Sequence, residues 1–391
     1  LMRNWLLPEY IEDVLPAEAA QIESLRRSLL DLVSTHGYQF VIPPMIEYLE
    51  SLITGAGHDL DLATFKVVDQ LSGRLMGVRA DITPQAARID AHMLNNQGVT
   101  RLCYAGSVLR THPDGIAQTR QPMQLGAELF GYASVEGDIE IQRLMIQLLQ
   151  RAGVKGLQID FSHVAIFNSI IDRTKIDAAL EQALYRALQS KDKTTLKSLT
   201  ANLDASTRDA LCALTELSGD EKVLAEAEKR LPKTPQISQA LSDLKQVAQE
   251  LADLGVGISF DLAELRGYHY HSGMVFAAYA QGCPRPLALG GRYDEVGQAF
   301  GRARPAVGFS VDLRGLVKAL PLPALNKGIL APVSSDKTLA QKVAALRESG
   351  KTVIQALPGT EKDYAELNCD QKLVQKNGVW EVVAAPELVK N

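Results

Sequence analysis

A long helical block divides this chain into parts that carry β-strand signals. Residues 173–254 are rich in Leu, Ala, Lys and Glu and have little β-branching. Their apolar positions recur at helical spacing, as in IDAALEQALYRALQ and ISQALSDLKQVAQELADLG. The block therefore predicts a helical insertion, with strand-bearing segments over 1–172 and 255–320 on its two sides.

Strand, turn and helix signals precede the block. Apolar spacing predicts an amphipathic helix from Pro16 to Ser34, and a short strand then ends at Pro43, because proline cannot donate to a strand ladder. FKVVDQ and RLMGVRAD predict a hairpin, and a helix is expected from Pro84, whose missing amide hydrogen suits a helix start. RLCYAGSVLRT and QPMQLGAELFGY predict two strands joined by a polar loop.

Similar signals follow the block. GISFDLAELRGYHYHSGMVFAAYA predicts two strands with a tight link, and PAVGFSVDLRGLVKAL predicts a strand that runs into a helix. A proline-rich linker, LPLPALNKG, then separates the last segment, 326–391. That segment alternates ILAPV, a Lys/Ala-rich helix, TVIQAL and VWEVVA, which predicts a small C-terminal α/β domain.

Charge and cysteine content argue against several classes of protein. The 41 Lys and Arg against 46 Asp and Glu give a net charge of −5, which disfavours bulk binding to a nucleic-acid backbone. No run of 18 apolar residues indicates a membrane span. Cys103, Cys212, Cys283 and Cys369 form no CxxC pair, so we expect buried free thiols in a cytoplasmic protein that has no metal centre and no cofactor.

The polar motifs are ambiguous when each is taken alone. A lone arginine near a strand end, such as Arg110, is more often a surface ion-pair residue than a ligand contact. Gln124 and Glu128 stand four residues apart, which places both on one face of a strand, opposite Leu129. This face is either a solvated one or a pair of acceptors for an ammonium group.

The RGYHYH segment carries the same ambiguity. Strand alternation would place Arg266, Tyr268 and Tyr270 on one face, and His269 and His271 on the other. Two histidines at this spacing resemble half of a metal site. No third ligand at a familiar spacing accompanies them, so we do not expect metal binding.

The order of the motifs is far more specific than any one of them. The blocks VRADITPQAARI, YAGSVLR, QLGAELFG, LRGYHY, LGGRYDE and PAVGFSVDL resemble, in order and spacing, the catalytic domain of histidyl-tRNA synthetase. The resemblance covers about 8 to 320, and IPPMIE lies where class II synthetases carry their dimer-forming first motif. It implies an α+β fold of the class II synthetase type, with an antiparallel sheet flanked by helices and a helical insertion at 173–254.

The resemblance also implies a pocket for histidine. Asp81 stands where the family has the acidic residue that holds the substrate ammonium, and Gln124 and Glu128 match further ammonium contacts. Arg266 matches the arginine that binds the substrate carboxylate. These residue types suit the task, because carboxylates and an amide accept from an ammonium group and arginine pairs with a carboxylate.

At the imidazole end the chain departs from the family. Tyr293 matches an imidazole contact and Tyr270 is retained, but His271 replaces the second tyrosine of the family's RGLDYY block, so we expect this end to be altered. The implied histidine-binding residues are Asp81, Thr83, Arg110, Gln124, Glu128, Arg266, Tyr270, His271 and Tyr293.

The nucleotide contacts of the family are missing here. His112 replaces the glutamate of the second motif, Pro122 replaces the phenylalanine that stacks on adenine, and Gly315 replaces the arginine that clamps the γ-phosphate. Asp312 places an acid where the family has glycine. Loss of a charged phosphate clamp typically lowers a rate about 100-fold or more, so we expect no catalytic residues and no aminoacylation.

A chain that keeps the histidine pocket but lacks the nucleotide contacts resembles the synthetase paralogues that serve as regulatory subunits of ATP phosphoribosyltransferase. That resemblance implies a non-catalytic chain in the first step of histidine biosynthesis, a partner in the short catalytic subunit, histidine as feedback effector, and self-dimers within a hetero-oligomer. The short tail lacks a basic helix, so no tRNA partner is expected. The alternatives are a working histidyl-tRNA synthetase and an enzyme that reuses the pocket with altered chemistry.

Overall fold

A computed structural model describes residues 6–53, 57–113, 119–174, 176–267, 270–321, 327–360 and 366–388. The chain forms two compact units, a larger one over Leu1–Pro321 and a smaller one over Leu322–Asn391. The insertion belongs to the larger unit. Whether 173–254 behaves as a separate domain stays a prediction.

The described part of the larger unit contains twelve strands. They are β1 (Gln39–Phe40), β2 (Ile46–Tyr48), β3 (Phe65–Val68), β4 (Leu75–Val78), β5 (Thr100–Ser107), β6 (Met123–Phe130), β7 (Gln158–His163), β8 (Ser218–Gly219), β9 (Gly257–Asp261), β10 (Met274–Tyr279), β11 (Ala288–Arg292) and β12 (Ala306–Asp312).

Nine of these strands form one sheet in the order β1-β5-β6-β12-β11-β10-β7-β9-β8. The central run from β5 to β7 is antiparallel, while β1 pairs with β5 and β9 pairs with β7 in parallel. Strands from both sides of the insertion therefore interleave, as in the predicted class II architecture. β2, β4 and β3 form a separate antiparallel sheet, which contains the predicted hairpin.

Twelve α-helices of the larger unit accompany these strands within the described ranges. They are α1 (Pro16–Thr35), α2 (Leu49–Ile53), α3 (Gly57–Ala63), α4 (Thr83–Arg88), α5 (Val135–Arg151), α6 (Val164–Ile171), α7 (Ala178–Gln189), α8 (Lys193–Leu199), α9 (Ala205–Leu214), α10 (Lys222–Arg230), α11 (Pro235–Leu251) and α12 (Leu313–Lys318). A π-helical turn, Ile89–Leu94, extends α4, and 3₁₀ turns occupy Ala252–Leu254 and Val296–Phe300.

The helical character of 173–254 is confirmed, and capping explains where its helices begin. The side chains of Asp177, Asp192, Asp204 and Thr234 each accept a hydrogen bond from an amide in the first turn of α7, α8, α9 and α11. Such caps satisfy amides that have no partner within the helix. β8, which antiparallel pairing attaches to β9, interrupts the helices at the sheet edge.

One continuous apolar core joins the sheet to α1, α5, α6 and the insertion helices. α5 contributes Leu144, Met145 and Leu148, all fully buried, and the sheet contributes Phe161 and Phe309. No element was predicted between 135 and 171, although α5 alternates apolar and polar residues at helical spacing. This core supports the opposite face of the sheet, where polar side chains gather.

Two predictions are wrong in part. The two strands predicted over 257–280 are present as β9 and β10, but the link between them is not tight, because β7 lies between the two strands and pairs with both. Cys103 and Cys369 are buried free thiols as expected, but Cys212 and Cys283 are only partly buried. Pairing across the sheet joins residues about 100 positions apart, which local periodicity does not encode.

The smaller unit has four strands and one long helix within its described residues. They are β13 (Gly328–Ala331), α13 (Lys337–Glu348), β14 (Val353–Gln355), β15 (Cys369–Lys376) and β16 (Val379–Ala384). The sheet order is β14-β13-β15-β16, with the first three strands parallel and β16 antiparallel to β15. This confirms the predicted α/β type, although β15 was not predicted.

Every helix in the described ranges is too short or too polar to cross a bilayer.

Acid is expected to destabilise the larger unit partly through His163, at the start of α6. Its ring accepts a hydrogen bond from the Ala165 amide, and burial, helped by Arg292, lowers its pKa from 6.5 to about 4. At pH 7 the ring is neutral in folded and unfolded chains. As the pH falls below 6.5, only the unfolded chain gains a proton, so stability falls until about pH 4.

The variant His163→Asn tests this, because asparagine can still cap α6 but does not titrate. The stability advantage of the unaltered chain over the variant should shrink by about 2 kcal/mol at most between pH 6.5 and pH 5. Urea unfolding at the two pH values measures the difference. Other titrating groups are shared by both proteins and cancel, so an unchanged difference would contradict the assignment to His163.

Candidate functional site

A cavity of about 340 Å³ lies on the polar face of the large sheet. Five neighbouring strands of the sheet, β6, β12, β11, β10 and β7, form its floor. The segment between β9 and β10 forms part of its wall. The structure brings all nine predicted binding residues to this cavity: Asp81, Thr83, Arg110, Gln124, Glu128, Arg266, Tyr270, His271 and Tyr293.

An acid and an amide form one corner of the cavity. The side-chain amide of Gln124, on β6, donates to Asp81 Oδ1 at 2.7 Å, and its carbonyl oxygen accepts from the Ile82 amide at 2.9 Å. The Thr83 amide also donates to Asp81 Oδ1, at 3.1 Å. These bonds fix the side chain of Asp81, just before α4, against that of Gln124 on β6. A corner rich in acceptor oxygens therefore exists before any ligand binds.

Glu128 lies deeper, on the same face of β6 as Gln124, as strand alternation predicts. It is 1% exposed, its Oε1 accepts from the Tyr104 hydroxyl at 2.9 Å, and its Oε2 accepts from the Tyr293 hydroxyl. Burial raises the pKa of Glu128 to about 8, and the charge of Asp81 adds to the rise against the opposing tyrosine hydrogen bonds. Gly308, paired with Glu128 across β6 and β12, leaves the space that this carboxylate fills.

Aromatic rings surround this carboxylate. Tyr270 and Tyr293 stack with centroids 5.2 Å apart and an interplanar angle of 30°. Tyr104 also shares a 2.9 Å hydrogen bond with Thr83. Burial raises the pKa of all three phenols well above 10, so they remain neutral donors. The Tyr270 hydroxyl is buried without a hydrogen-bond partner among the described residues.

Two arginines balance the acidic groups. Arg266 is held by Glu264, with a 3.3 Å contact between Arg266 Nη2 and Glu264 Oε2, and its side chain remains 43% exposed. Arg110 Nε donates at 3.3 Å to the carbonyl of Ala80, the residue that precedes Asp81. The cavity therefore presents both anionic and cationic groups, the pattern that a zwitterion requires.

The predicted alternation through RGYHYH is wrong for its described residues. Gly267 has a φ of 65°, and its carbonyl accepts from the amides of Tyr270 and His271, each at 2.8 Å, so this segment turns. Tyr270 and His271 consequently both line the cavity. Tyr268 and His269 lie outside the described residues.

Several residues in the cavity or behind its lining were missed from the sequence. Tyr104 does not line the cavity but is the fully buried partner of Glu128, and alternation along RLCYAGS was the available signal. β7 contributes Asp160 and Ser162 at the far end of the cavity. Their strand was not predicted, although QIDFSH alternates polar and apolar side chains.

Asp312 and Arg314, which lie where the resemblance implies nucleotide contacts, form local structural contacts. Asp312 caps α12 by accepting from the Arg314 and Gly315 amides, and it also accepts from the Met123 amide, each at 3.1 Å. Burial raises the pKa of Asp312. Arg314 is buried and donates to the Gln121 carbonyl and to Glu12, while Gly315 carries no side chain. These groups offer no phosphate clamp.

The other two replacements agree with this picture. Pro122 is buried, with its carbonyl accepting from the Val108 amide at 3.0 Å, and His112 is exposed with its ring bonded to the Thr111 hydroxyl at 2.8 Å. In the described ranges, no three His, Cys, Asp or Glu side chains converge in a way that would hold a metal ion.

Two family models match the chain. The model described as "Histidyl-tRNA synthetase" matches residues 10–316, and that described as "ATP phosphoribosyltransferase subunit HisZ C-terminal domain" matches 326–383. The first match covers most of the larger unit, and the second falls in the smaller unit.

Relatives match over nearly the whole chain. The ATP phosphoribosyltransferase regulatory subunit of Methylobacillus flagellatus is 66% identical and that of Nitrosospira multiformis 56% identical, over 99% and 98% of this chain and 100% and 99% of theirs. A solved ATP phosphoribosyltransferase regulatory subunit/histidyl-tRNA synthetase from Bacillus halodurans superposes with a TM-score of 0.84 at 27% identity, covering 95% of this chain and 98% of that one. Histidyl-tRNA synthetase from Nostoc shares the fold, with a TM-score of 0.76 at 19% identity and 98% of each chain covered.

Proposed function

Because this chain belongs to the ATP phosphoribosyltransferase regulatory subunits, non-catalytic proteins of histidine biosynthesis, we propose that its cavity binds histidine and thereby controls a separate catalytic chain. The observation that carries the proposal is the convergence of all nine predicted residues on one cavity. They lie on five separate stretches of sequence, and only the fold brings them together.

The charges of the cavity match those of a free amino acid. Asp81 and Gln124 provide oxygen acceptors for an ammonium group, while Arg266 and Arg110 provide donors for a carboxylate. Buried Glu128 and the rings of Tyr270 and Tyr293 extend the site inward, where a flat, polar side chain fits. A cavity of about 340 Å³ lies within the usual range for small-molecule sites.

A chain that adenylates histidine needs side chains that bind the phosphates of ATP. The structure supports a regulatory role instead, because the corresponding residues here make other contacts. We expect no histidine-dependent exchange between pyrophosphate and ATP above a no-enzyme control. The physical reason is that Asp312 and Arg314 are engaged in capping and backbone contacts, and Gly315 has no cation to offer. Radiolabelled pyrophosphate exchange measures this, and robust exchange would instead favour the synthetase-like enzyme with altered chemistry.

We also propose that two copies of the chain associate through the three-stranded sheet and the segment that leads into it. Large apolar side chains are exposed there: Phe40, Ile42, Met45, Ile46, Val67, Val68, Leu71 and Leu75. Exposed apolar surface of this extent is typical of an interface. Light scattering, which measures the mass in solution, tests the dimer directly.

The proposed partner is the short catalytic subunit of ATP phosphoribosyltransferase, and the proposed place of assembly is the cytoplasm. An effector acts on a distant active site only if it binds one state of the assembly better than another. The test compares phosphoribosyltransferase activity for the catalytic chain alone, for the mixture, and for the mixture with histidine. We expect activation on mixing and inhibition on adding histidine; equal rates in the first two would remove the proposal.

A matched variant connects the cavity to this control. Glu128→Gln keeps the size of the side chain and an acceptor for a tyrosine hydroxyl but removes the charge. The mixture made with this variant should still be activated and should need more histidine for inhibition. Inhibition at the same histidine concentration would place the effector outside the cavity.

A further inference from the structure

His271 occupies a slot between two positions that lack a side chain. A Cβ atom on Gly267 would lie 2.8 Å from the Nδ1 of His271, and one on Gly291 would lie 2.7 Å from its Nε2. Both separations are shorter than real Cβ contacts, so the ring fits because both neighbours are glycine. Tyr270 contacts the same ring edge to face, at a centroid separation of 5.3 Å and an angle of 86°. The ring is thus confined on three sides.

Hydrogen bonding then determines which nitrogen of His271 carries hydrogen. Nδ1 lies 3.3 Å from the Arg266 carbonyl oxygen and 3.2 Å from the Gly267 carbonyl oxygen. A carbonyl oxygen only accepts, so Nδ1 is the protonated nitrogen and donates. Burial lowers the pKa of His271 to about 4, so near pH 7 the ring is neutral. Nε2 therefore keeps a lone pair, and no described residue donates to it.

The lone pair lies next to the deepest carboxylate of the cavity. Gly291 and Gly308 are direct partners across β11 and β12, and opposed Cα atoms in an antiparallel pair stand about 4.5 to 5.5 Å apart. Nε2 of His271 lies over Gly291, while the carboxylate of Glu128 lies over Gly308. Two acceptors thus stand side by side, each in the space that a glycine leaves, and both belong to the lining of the cavity, where a ligand ring can meet them.

We propose that His271 makes the cavity selective for a ligand ring that bears an N–H group. This N–H donates a hydrogen bond to Nε2 of His271. This deepens the proposed function and rests on it, since histidine is the ligand concerned. A ring that presents only a lone pair or a sulfur atom at this point covers Nε2, which lines the cavity, without donating to it. An unmade hydrogen bond of this kind is costly, whereas an imidazole N–H supplies the missing partner.

Two histidine analogues separate this role from general fit. In 4-thiazolylalanine the five-membered ring has no N–H, whereas 1,2,4-triazolylalanine keeps an N–H on a ring of similar size. We expect the thiazole analogue to bind the full-length chain about tenfold or more weakly than histidine, and the triazole analogue to bind closer to histidine. Titration calorimetry at pH 8 gives the three affinities without any substitution.

Paired variants assign the effect to Nε2. His271→Asn can keep a donor toward the Arg266 and Gly267 carbonyls but does not reach the Nε2 position, whereas His271→Gln places an amide oxygen near it. We expect His271→Asn to bind histidine and the thiazole analogue with nearly equal affinity and His271→Gln to keep part of the preference. Unfolding midpoints of both variants verify that they fold.

The possible results separate this inference from the proposed function. If the unaltered chain binds histidine but binds the thiazole analogue equally well, the role of His271 is overturned while the histidine site stands. The role of His271 is also overturned if His271→Asn keeps the full preference for histidine over the thiazole analogue, since Glu128 would then be the acceptor for the ligand N–H. If the unaltered chain and its assembly bind no histidine, the proposed function fails and the selectivity fails with it.

Discussion

Replacing Arg292 by methionine is expected to lower the free energy of unfolding by about 3 to 5 kcal/mol. Arg292 ends β11, and its side chain is 8% exposed against 5% for its partner Asp138 on α5. Its Nε and Nη2 donate to Asp138 Oδ2 at 3.0 and 2.6 Å. Methionine has a similar length but no charge, so the substitution leaves the Asp138 carboxylate buried without its cation.

The same arginine also holds the polypeptide on both sides of Tyr293. Arg292 Nη1 donates to the carboxylate of Asp294 at 3.1 Å, and that carboxylate accepts from the Ala306 amide at 3.0 Å. These bonds tie the end of β11 to the start of β12 and so position Tyr293 against Glu128. We therefore expect the variant to lose histidine affinity as well as stability.

Urea unfolding measures the stability loss, with Arg26→Met as the matched control. Arg26 also forms a close ion pair, with Glu23 at 2.7 Å, but both side chains are at least 30% exposed. Exposed pairs contribute about 1 kcal/mol or less, so the control should change little. Similar losses of unfolding free energy in the two variants would mean that burial does not increase the contribution of the Arg292–Asp138 pair to stability.

Local pattern was sufficient where one element decides the geometry. Gln124 and Glu128 share a strand, so a period of two places them on one face, and the structure has them there. Helical spacing with Asp and Thr caps likewise specifies the insertion helices. In both cases the determining interactions lie within a few residues of each other along the chain.

Local pattern failed where distant parts of the chain decide the geometry. The turn at Gly267 places both Tyr270 and His271 in the cavity, and the slot for the His271 ring depends on Gly291, in another strand. Pairing of β7 between β9 and β10 is likewise non-local. The resemblance to the synthetase family supplied the fold and the set of cavity residues, whereas the contacts among them follow from packing.

The capping role of Asp312 is a further case. From the sequence, this acid and Gly315 represent only the loss of a nucleotide clamp. In the structure the Asp312 carboxylate accepts from three amides and joins β6 to the start of α12. Asp312 therefore has a structural role of its own in this chain, which an inspection of motifs does not show.

Glu128→Ala is expected to lower the affinity for histidine at least tenfold, a loss of about 2 to 5 kcal/mol being typical when one partner of a buried charged hydrogen bond is removed. Histidine has two groups that donate to a carboxylate, its ammonium and an imidazole N–H. Glu128 is the only carboxylate in the described cavity that is fully buried, so water cannot replace it there.

Two companions separate lost charge from lost packing. Glu128→Gln keeps an acceptor for Tyr104 or Tyr293 and removes only the charge, so it should share most of the loss. Asp160→Asn removes a charge from the far end of the same cavity, where Ser259 contacts the carboxylate, and should leave the affinity within about threefold. Equal losses at Asp160 and Glu128 would indicate a general effect of charge.

The affinity should also depend on pH through Glu128. With a pKa of about 8 in the empty site, this carboxyl is mostly protonated at pH 7, whereas a bound cationic donor favours its ionised form. Binding therefore releases a proton, and the affinity should fall by up to about tenfold for each pH unit below 8. His271 and the tyrosines that face Glu128 stay neutral between pH 6 and 8, so they do not contribute to this slope.

Titration calorimetry at pH 6, 7 and 8 should show this fall in histidine affinity in the unaltered chain and a flatter pH dependence in Glu128→Gln. Parallel dependences in the two proteins would assign the proton to the ligand's own imidazole and remove Glu128 from the titration.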